Sequence, residues 1–270
     1  MTDLTSGLSS TLRQTVTQTW VITLRDLKHW QREPWGPVFG ILFAIMMLLI
    51  FGYLFGGAIE MPGGGSYLPY LLPGVLALTM MFGIDGTMSV VTEDTKRGVT
   101  NRFRSLPMSG LAVPLGRAIA DLGNSAVQLG VLMLGGLLIG WRIEGSFLEA
   151  VAAVGLLLWL RLAMLWLGIF LGLTLRMEGA LTMVQVLVWP LGFCSSLFVS
   201  PETMPGWLGF LAAWNPVSAT ATACRDLFGN PTGITSGVLA DHATLLALAW
   251  PAVLLAIFVP LSVRAFRRLG

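Results

Sequence analysis

The feature that most constrains this 270-residue chain is a series of long stretches without Asp, Glu, Lys or Arg. Such a stretch can cross the ~30 Å hydrocarbon core of a bilayer when it supplies about 20 helical residues. Five charge-free stretches are interpreted as membrane spans: residues 34–59, 61–84, 122–141, 179–201 and 243–263. A sixth apolar stretch, 148–172, contains only Glu149 and Arg161 as charged residues.

Composition supports a membrane protein with several spans. Only 11% of the residues are charged and 55% are hydrophobic, whereas an ordinary soluble domain carries about 25% charged residues. The pattern predicts an all-α polytopic membrane protein, organised as a single transmembrane domain over residues 1–270. Its six transmembrane helices are placed near residues 37–58, 68–90, 114–140, 148–172, 179–199 and 243–263.

A further charge-free window, residues 203–224, is too broken to form a seventh span. Pro205 and Pro216 leave only ten residues between them, and proline interrupts a helix interior. We interpret residues 201–225 as a re-entrant or interfacial outer segment before the last span. Large aromatic side chains suit the membrane boundary, and four of them form a candidate outer gate: Phe198, Trp207, Phe210 and Trp214.

The placement of Lys and Arg predicts the orientation, because cytoplasmic flanks are enriched in these residues. Six spans with a cytoplasmic N-terminus leave two cations outside, Arg142 and Arg225, and one within a span, Arg161. The other 13 lie inside: Arg13, Arg25, Lys28, Arg32, Lys96, Arg97, Arg102, Arg104, Arg117, Arg176, Arg264, Arg267 and Arg268. We expect a multi-pass protein of the cell membrane with both termini in the cytoplasm.

Residues 8–34, before the first span, are predicted to form an amphipathic elbow helix on the inner leaflet, ended by Pro34. Apolar side chains recur there every three or four positions: Leu12, Val16, Trp20, Leu24 and Leu27. The alternative is a helix that packs on the protein itself.

The cytoplasmic loop 92–109 combines charge with a short apolar edge. Thr92 is predicted to cap a helix whose first turn carries Glu93 and Asp94, because carboxylates are favourable at a helix N-terminus. The apolar edge consists of Val99, Phe103 and Leu106. Such a helix suits docking against a partner protein, while the alternative is that its cations only anchor the loop at the membrane.

Two separated motifs resemble permease subunits of type 2 ATP-binding cassette exporters, in the daunorubicin-resistance branch. The first comprises Glu93-Asp94, Arg97-Gly98 and the run from Arg102 to Met108 in the cytoplasmic loop. The second lies in the outer segment and contains Phe198-Val199, Pro201, Met204-Pro205, Trp207 and Asn215-Pro216-Val217. The resemblance covers nearly the whole chain in span order, and the elbow helix matches as well.

The resemblance implies that the cytoplasmic loop carries a coupling helix that fits a cleft on a separate ATPase subunit. The residues that would make this contact are Glu93, Asp94, Lys96, Arg97, Gly98, Arg102, Phe103, Arg104, Leu106 and Pro107. It also implies two permeases working with two ATPase subunits, so that a second copy of this chain is an expected partner beside the lipid bilayer.

The chain carries no phosphate-binding loop of its own. That motif needs a lysine behind a glycine-rich turn, and the only lysines, Lys28 and Lys96, are not preceded by one. We therefore expect no cofactor and no metal in this chain, with ATP and Mg²⁺ on the partner. Four glycine pairs would permit close helix contacts, within one chain or between copies: Gly36/Gly40, Gly52/Gly56, Gly136/Gly140 and Gly168/Gly172.

Four charged residues fall inside the predicted spans, where an ionisable group usually finds a partner or lines a wet cavity. From the helical rise, Asp85 and Arg117 both lie roughly 5 Å from the inner boundary, and Asp121 and Arg161 roughly 10 Å from it. The matching depths predict two ion pairs, Asp85 with Arg117 and Asp121 with Arg161.

One face of the third span is polar, because Arg117, Asp121, Asn124 and Gln128 recur at steps of four, three and four. Such a stripe lines a substrate path or bonds to neighbouring helices, and both interpretations remain open. Gln185, in the fifth span, is interpreted as a structural hydrogen-bonding residue.

Three functions compete at this point. The first is an exporter permease for a hydrophobic or amphipathic cargo, either a drug or a lipid-like compound. The second is an ATP-independent channel or carrier, which a polar stripe alone does not distinguish from the first. The third is an intramembrane lipid-processing enzyme, which is disfavoured because H-E-x-x-H and G-x-S-x-G are absent. A net charge of +2 gives no reason to expect nucleic acid.

Overall fold

The computed structural model describes residues 17–26, 35–54, 66–96, 112–175, 177 and 179–268. The first helix, α1, covers residues 17–26. The next are α2 (Trp35–Leu49, extended by a π-helical turn at Ile50–Leu54), α3 (Tyr67–Met81), α4 (Gly83–Lys96), α5 (Ala112–Leu138) and α6 (Phe147–Thr174). The remainder are α7 (Ala180–Phe193), a 3₁₀ turn (Pro201–Thr203), α8 (Gly206–Ala213), α9 (Pro216–Leu227) and α10 (Val238–Arg268).

Four helical segments are long and apolar enough to cross a membrane: Tyr67–Lys96, Pro114–Leu138, Phe147–Thr174 and Val238–Phe266. Two shorter apolar helices accompany them, Val38–Tyr53 and Ala180–Phe193. The chain is therefore helical with several candidate spans, as its apolar stretches predict. No described part of the 203–224 window meets the span criterion.

The second predicted span is longer than expected and is interrupted once. It begins after Ser66, whose side chain accepts a bond from the Leu68 N–H, and α3 passes into α4 across Phe82. Helix α4 then continues to Lys96, past the predicted end at residue 90. Thr92 consequently lies inside α4, so the prediction that it caps a new helix is wrong. The helix continues because Val91 is buried in the core, which holds this turn in register.

Helix α6 is the centre of the bundle and packs most extensively against α10 and α4. A capping box between Ser146 and Glu149 begins it. Gly168 and Gly172 let α4 approach closely, because a Cβ at Gly168 would lie 2.5 Å from the Ile84 carbonyl oxygen and one at Gly172 would lie 3.0 Å from that of Met88. This glycine pair serves packing within one chain.

The two ends of the bundle differ, and we name them by their content. The charged end carries α1, the last turn of α4 and the first turns of α5, with Ile22, Val91 and Phe266 in one apolar cluster. The hairpin end carries residues 141–146 and 194–237. There, the Trp141 indole N–H donates to the Asn230 side chain at 2.7 Å.

Helices α8 and α9 lie at the hairpin end and are separated by Trp214 and Asn215, which agrees with the predicted interruption of the 203–224 window by prolines. Asn215 joins it to α7, because its side-chain amide donates to the carbonyls of Leu191 (2.9 Å) and Cys194 (3.1 Å). The same side chain accepts from the Val217 N–H and so caps α9. Helix α7 ends at Phe193, six residues before the predicted end at 199. The Asn215 amide supplies hydrogen bonds to carbonyls at this end, which no following turn of the helix would otherwise satisfy.

Helix α1 is the described part of the predicted elbow. It rests on α5 at Gly116, whose carbonyl accepts a bond from the Thr23 hydroxyl at 3.1 Å, and Ile22 is buried beside it. Trp20 and Leu24, from the predicted apolar stripe, are exposed on the opposite side.

Candidate functional site

A cavity of about 1470 Å³ lies between helices α1 to α7 and extends into the charged end. The six charged or polar residues predicted for a path or for ion pairs all line it: Asp85, Arg117, Asp121, Asn124, Gln128 and Arg161. The structure thus brings together side chains from α4, α5 and α6 that are up to 76 positions apart in the chain. Because all six side chains line one cavity, we take this cavity as the candidate functional site.

Asp121 and Arg161 form the pair that their depths predict. The Arg161 Nε and Nη2 donate to the two carboxylate oxygens of Asp121 at 2.6 and 2.7 Å. Only 8% of the Arg161 side chain and 15% of the Asp121 side chain are exposed. A bidentate contact of this kind ties α5 to α6 in the middle of the bundle.

The predicted pair between Asp85 and Arg117 is wrong. Arg117 binds Asp94, which also lies 3.8 Å from the Arg25 guanidinium. The depth calculation failed because α4 runs on to Lys96, so that its last turn, and not Asp85, is level with Arg117. The Asp85 carboxyl has a buried oxygen, Oδ1, with no hydrogen-bond partner.

The three amide side chains that line the cavity, Asn124, Gln128 and Gln185, make no hydrogen bonds within the described part of the chain. Asn124 and Gln128 line the cavity, and no hydrogen bond joins either side chain to another described residue. The same holds for Gln185, so the interpretation of Gln185 as a structural hydrogen-bonding residue is wrong. Gln128 is 92% buried despite this. Unused amides of this kind are available to whatever fills the cavity.

One wall of the cavity is aromatic. Trp189 meets Phe82 and Phe43 edge to face, with ring centroids 5.1 and 5.4 Å apart. The row continues away from the cavity, because Trp189 stacks on Phe193 at 6.0 Å and Phe193 on Phe198 at 5.4 Å. A continuous column of rings therefore leads from the cavity to the hairpin end.

The predicted outer gate is divided by the structure. Phe198 is buried and stacks on Phe51 with centroids 4.4 Å apart, inside the ring column. Trp207, Phe210 and Trp214 lie on α8 and its end and are exposed. Of the four predicted gate residues, Phe198 is the one that belongs to the ring column.

Sequence comparisons with known proteins identify the family of this chain. The profile described as ABC-2 type transporter matches residues 17–228. The chain belongs to the ABC-2 type transporter family. It is 35% identical over 233 residues to the daunorubicin resistance ABC transporter permease protein of Streptomyces coeruleorubidus, with 84% of this chain and 78% of that protein covered. It is also 25% identical over 228 residues to a protein of Cyanophora paradoxa named as a transport permease, with 83% and 78% covered.

The family assignment confirms the predicted resemblance. This ABC-2 chain is a membrane permease subunit, and ABC-2 permeases work with an ATPase subunit. Several apolar helices in such a permease make it a multi-pass membrane protein. Among the described residues, no group of three His, Cys, Asp or Glu side chains is placed to hold a metal ion.

The predicted ATPase contacts of the ABC-2 chain are only partly described. Glu93, Asp94 and Lys96 form the last turn of α4. Glu93 and Asp94 line the cavity, so this turn belongs to the charged end itself. The other predicted contacts lie outside the described residues: Arg97, Gly98, Arg102, Phe103, Arg104, Leu106 and Pro107.

Sequence reasoning missed the environment of Arg225, which was treated only as one of two outer cations. Its side chain is completely buried, and the guanidinium donates to the carbonyls of Tyr70 (2.9 Å), Ser196 (2.8 Å) and Leu197 (3.0 Å). The guanidinium carbon lies 3.6 Å from the Tyr70 ring centroid. The run of small residues before it, Ser218–Cys224, was the available signal, because small side chains permit close packing.

Proposed function

We propose that this permease exports a hydrophobic or amphipathic compound, drug-like or lipid-like, driven by ATP that a separate subunit hydrolyses. The cavity carries the proposal, because one wall is polar and charged, the opposite wall is aromatic, and a column of rings separates it from the hairpin end. The name of the Streptomyces coeruleorubidus relative, which refers to daunorubicin resistance, supports a drug as cargo.

The proposed topology has six spans with both termini in the cytoplasm. The two shorter helices α2 and α7 support it, because both are apolar and contain no Asp, Glu, Lys or Arg. Cytoplasmic placement of the charged end agrees with the enrichment of cations near it. The exposed Trp20 of α1 supports an elbow on the inner leaflet, and the short lengths of α8 and α9 support a re-entrant outer segment.

Coupling to the ATPase would act through the loop 92–109. This loop continues directly from α4, whose last turn binds Arg117 of α5 and Arg25 of α1 through Asp94. A displacement of the last turn of α4 would therefore reach the lining of the cavity, because Glu93 and Asp94 belong to both. Mg²⁺ and ATP belong to the partner in this scheme.

We further propose that two copies of the permease assemble around the pathway, as a homodimer. The cavity is open along part of its wall, and a second copy would complete it. Opening towards the outside would then separate the ring column, with Phe198 as its last buried ring before the hairpin end.

The test is ATP hydrolysis and cargo export in lipid vesicles, with and without a candidate ABC ATPase subunit. Glu93→Ala and Phe103→Ala should uncouple hydrolysis from export, whereas Glu202→Ala, at the opposite end, should not. Failure of any ATPase to bind, with both loop variants behaving as the wild type, would instead favour the ATP-independent channel or carrier.

A further inference from the structure

Three consecutive carbonyl groups in the turn at residues 195–198, after α7, accept hydrogen bonds from side chains of other helices. They belong to Ser196, Leu197 and Phe198, and all three residues are buried. The Ser196 carbonyl accepts two bonds, from the Tyr70 hydroxyl at 2.7 Å and from Arg225 Nη2 at 2.8 Å. The Leu197 carbonyl accepts one bond, from Arg225 Nη2 at 3.0 Å. The first two carbonyls are therefore held by the buried arginine.

The Phe198 carbonyl is held by a single hydroxyl. The Tyr67 side chain donates to it at 2.6 Å, and within the described part of the chain no other group donates to this oxygen. Both residues are buried. Since a buried carbonyl without a donor is costly, the bond from Tyr67 holds this carbonyl in place.

The residue that Tyr67 holds carries the last buried ring of the ring column. The Phe198 ring stacks on Phe193, at the end of α7, and on Phe51, in the π-helical turn after α2. Because the carbonyl and the ring belong to the same residue, a bond that fixes the carbonyl also restricts where the ring can lie. The Tyr67 hydroxyl therefore acts on the ring column through the backbone of Phe198.

Tyr67 is less firmly held than the other tyrosine of this helix, Tyr70. It is the first residue of α3, where N–H groups lack partners in a preceding turn, and the cap is a single bond from the Leu68 N–H to Ser66. Tyr70 lies one turn further on. Its ring packs 3.6 Å from the Arg225 guanidinium carbon, and its carbonyl accepts from Arg225 Nε. Helix α3 thus has one tyrosine fixed by the arginine and one at its free end.

We propose that Tyr67 is the positioning residue of the outer closure, because its hydroxyl keeps the Phe198 ring in the ring column. Opening towards the hairpin end breaks this one hydrogen bond, while the bonds from Arg225 to Ser196 and Leu197 stay intact. This inference rests on the proposed function, since it names the contact that closes the export path on the outer side. A hydroxyl with a purely structural role would stabilise the fold without affecting the closure.

Leakage of carboxyfluorescein from vesicles that contain the full-length permease with its ATPase tests the proposal, in the absence of ATP. Tyr67→Phe keeps the ring and removes the hydroxyl. Tyr70→Phe is the matched control, because it removes a hydroxyl from the same helix and the same turn while the Ser196 carbonyl keeps its bond from Arg225. Thermal unfolding in detergent checks that each variant is folded.

Tyr67→Phe should raise the rate of leakage at least about fivefold, which corresponds to about 1 kcal/mol and to one hydrogen bond. Tyr70→Phe should leave the rate within about twofold of the wild type. In the Phe198→Ala background, Tyr67→Phe should add less than about 1.5-fold, because the ring on which the hydroxyl acts is gone. A purely structural hydroxyl would not show this dependence on Phe198.

Ser66→Ala tests the same contact without changing either residue of the bond. Loss of the cap loosens the first turn of α3. Leakage should rise to a value between those of the wild type and Tyr67→Phe, and it should not rise further in the Phe198→Ala background. This variant decides the question if Tyr67→Phe does not fold.

Leakage at the wild-type rate from Tyr67→Phe overturns the proposal, as does the same result from Ser66→Ala if Tyr67→Phe does not fold. Equal increases from Tyr67→Phe and Tyr70→Phe also overturn it and show that the whole turn closes the path. An undiminished effect of Tyr67→Phe in the Phe198→Ala background overturns it too, because the hydroxyl then acts elsewhere. The expected leakage pattern without ATP-dependent export would overturn the proposed function and leave the role of Tyr67 intact.

Discussion

The two ends of this permease bury arginines in different ways. At the hairpin end, Arg225 is completely buried and is held by three backbone carbonyls and the Tyr70 ring. At the charged end and beside the cavity, Arg117 and Arg161 are held by the side-chain carboxylates of Asp94 and Asp121. Carbonyls belong to the folded backbone, whereas carboxylates sit on rotatable side chains of separate helices.

The difference indicates at which end the contacts of the buried arginines can rearrange. Breaking the Arg225 contacts requires opening the turn at residues 195–198, because these carbonyls have no other position to adopt. The carboxylate contacts can break and re-form as α4, α5 and α6 move past one another, and they line a cavity that leaves room for this. The hairpin end is therefore the more rigid part of the bundle, and the charged end and the cavity beside it are the part whose contacts can rearrange.

The largest effect is expected at the fixed end. Arg225→Met leaves three buried carbonyls without their donor and should destabilise the fold by about 4 kcal/mol. Thermal unfolding in detergent measures this. Arg142→Met is the matched control, because Arg142 also binds two carbonyls but is exposed. Equal stability of the two variants would contradict the view of the hairpin end as a rigid unit.

The next effect separates the two parts of the predicted outer gate. Phe198→Ala removes a buried ring from the column and should destabilise the protein by about 3 kcal/mol and increase leakage of the vesicles. Trp207→Ala combined with Trp214→Ala should change stability by about 0.5 kcal/mol or less, since both side chains are exposed. If the tryptophan variant leaks as much as Phe198→Ala, the gate includes α8.

The ion pair beside the cavity, Asp121 with Arg161, should tolerate exchange of its two charges. Asp121→Arg and Arg161→Asp should each cost about 2–3 kcal/mol and reduce export, because each leaves like charges facing one another. The double variant should recover at least part of both losses. Unfolding and export assays on the four proteins form the cycle. A double variant no more stable or active than either single variant would show that the two side chains are not coupled as an ion pair.

A smaller effect tests the contact between α4 and α6, along which the charged end would move. Gly168→Ala places a methyl group against the Ile84 carbonyl and should cost about 1–2 kcal/mol. Gly155→Ala, on the same helix but with open space at its Cβ, should be neutral or slightly stabilising. Similar losses for both would show that backbone freedom, and not the helix contact, is what matters.

The smallest effect concerns pH at the hairpin end. Glu202, outside the candidate spans, accepts bonds from the Thr235 N–H at 2.6 Å and the Ser236 N–H at 3.1 Å, and these bonds lower the pKa of its carboxyl. The stabilisation is present at neutral pH and is lost as the pH falls through that lowered pKa. Glu202→Gln should flatten a small acid-dependent decrease in melting temperature. An unchanged profile would exclude this contact as its source.

Much of the fold follows from local sequence. The apolar stretches predicted the candidate spans, and Pro205 and Pro216 predicted the break between α8 and α9. The contact between Asp121 and Arg161 was predictable because both lie well inside long helices, where the rise per residue gives a reliable depth. The pairing of Arg117 failed where α4 extends past its apolar part, since hydropathy does not show where a helix with polar residues ends.

The sequence alone determined that this chain is a helical membrane permease of the ABC-2 type, because hydropathy, the polar face of α5 and the family motifs are all local properties. Only the tertiary structure decided which charges meet and which remain unpaired. It left Asp85 Oδ1 without a hydrogen-bond partner, separated the buried Phe198 from the exposed aromatic residues of α8, and buried Arg225 among carbonyls. These outcomes depend on contacts between residues far apart in the chain, and their geometry is decided by how the helices pack.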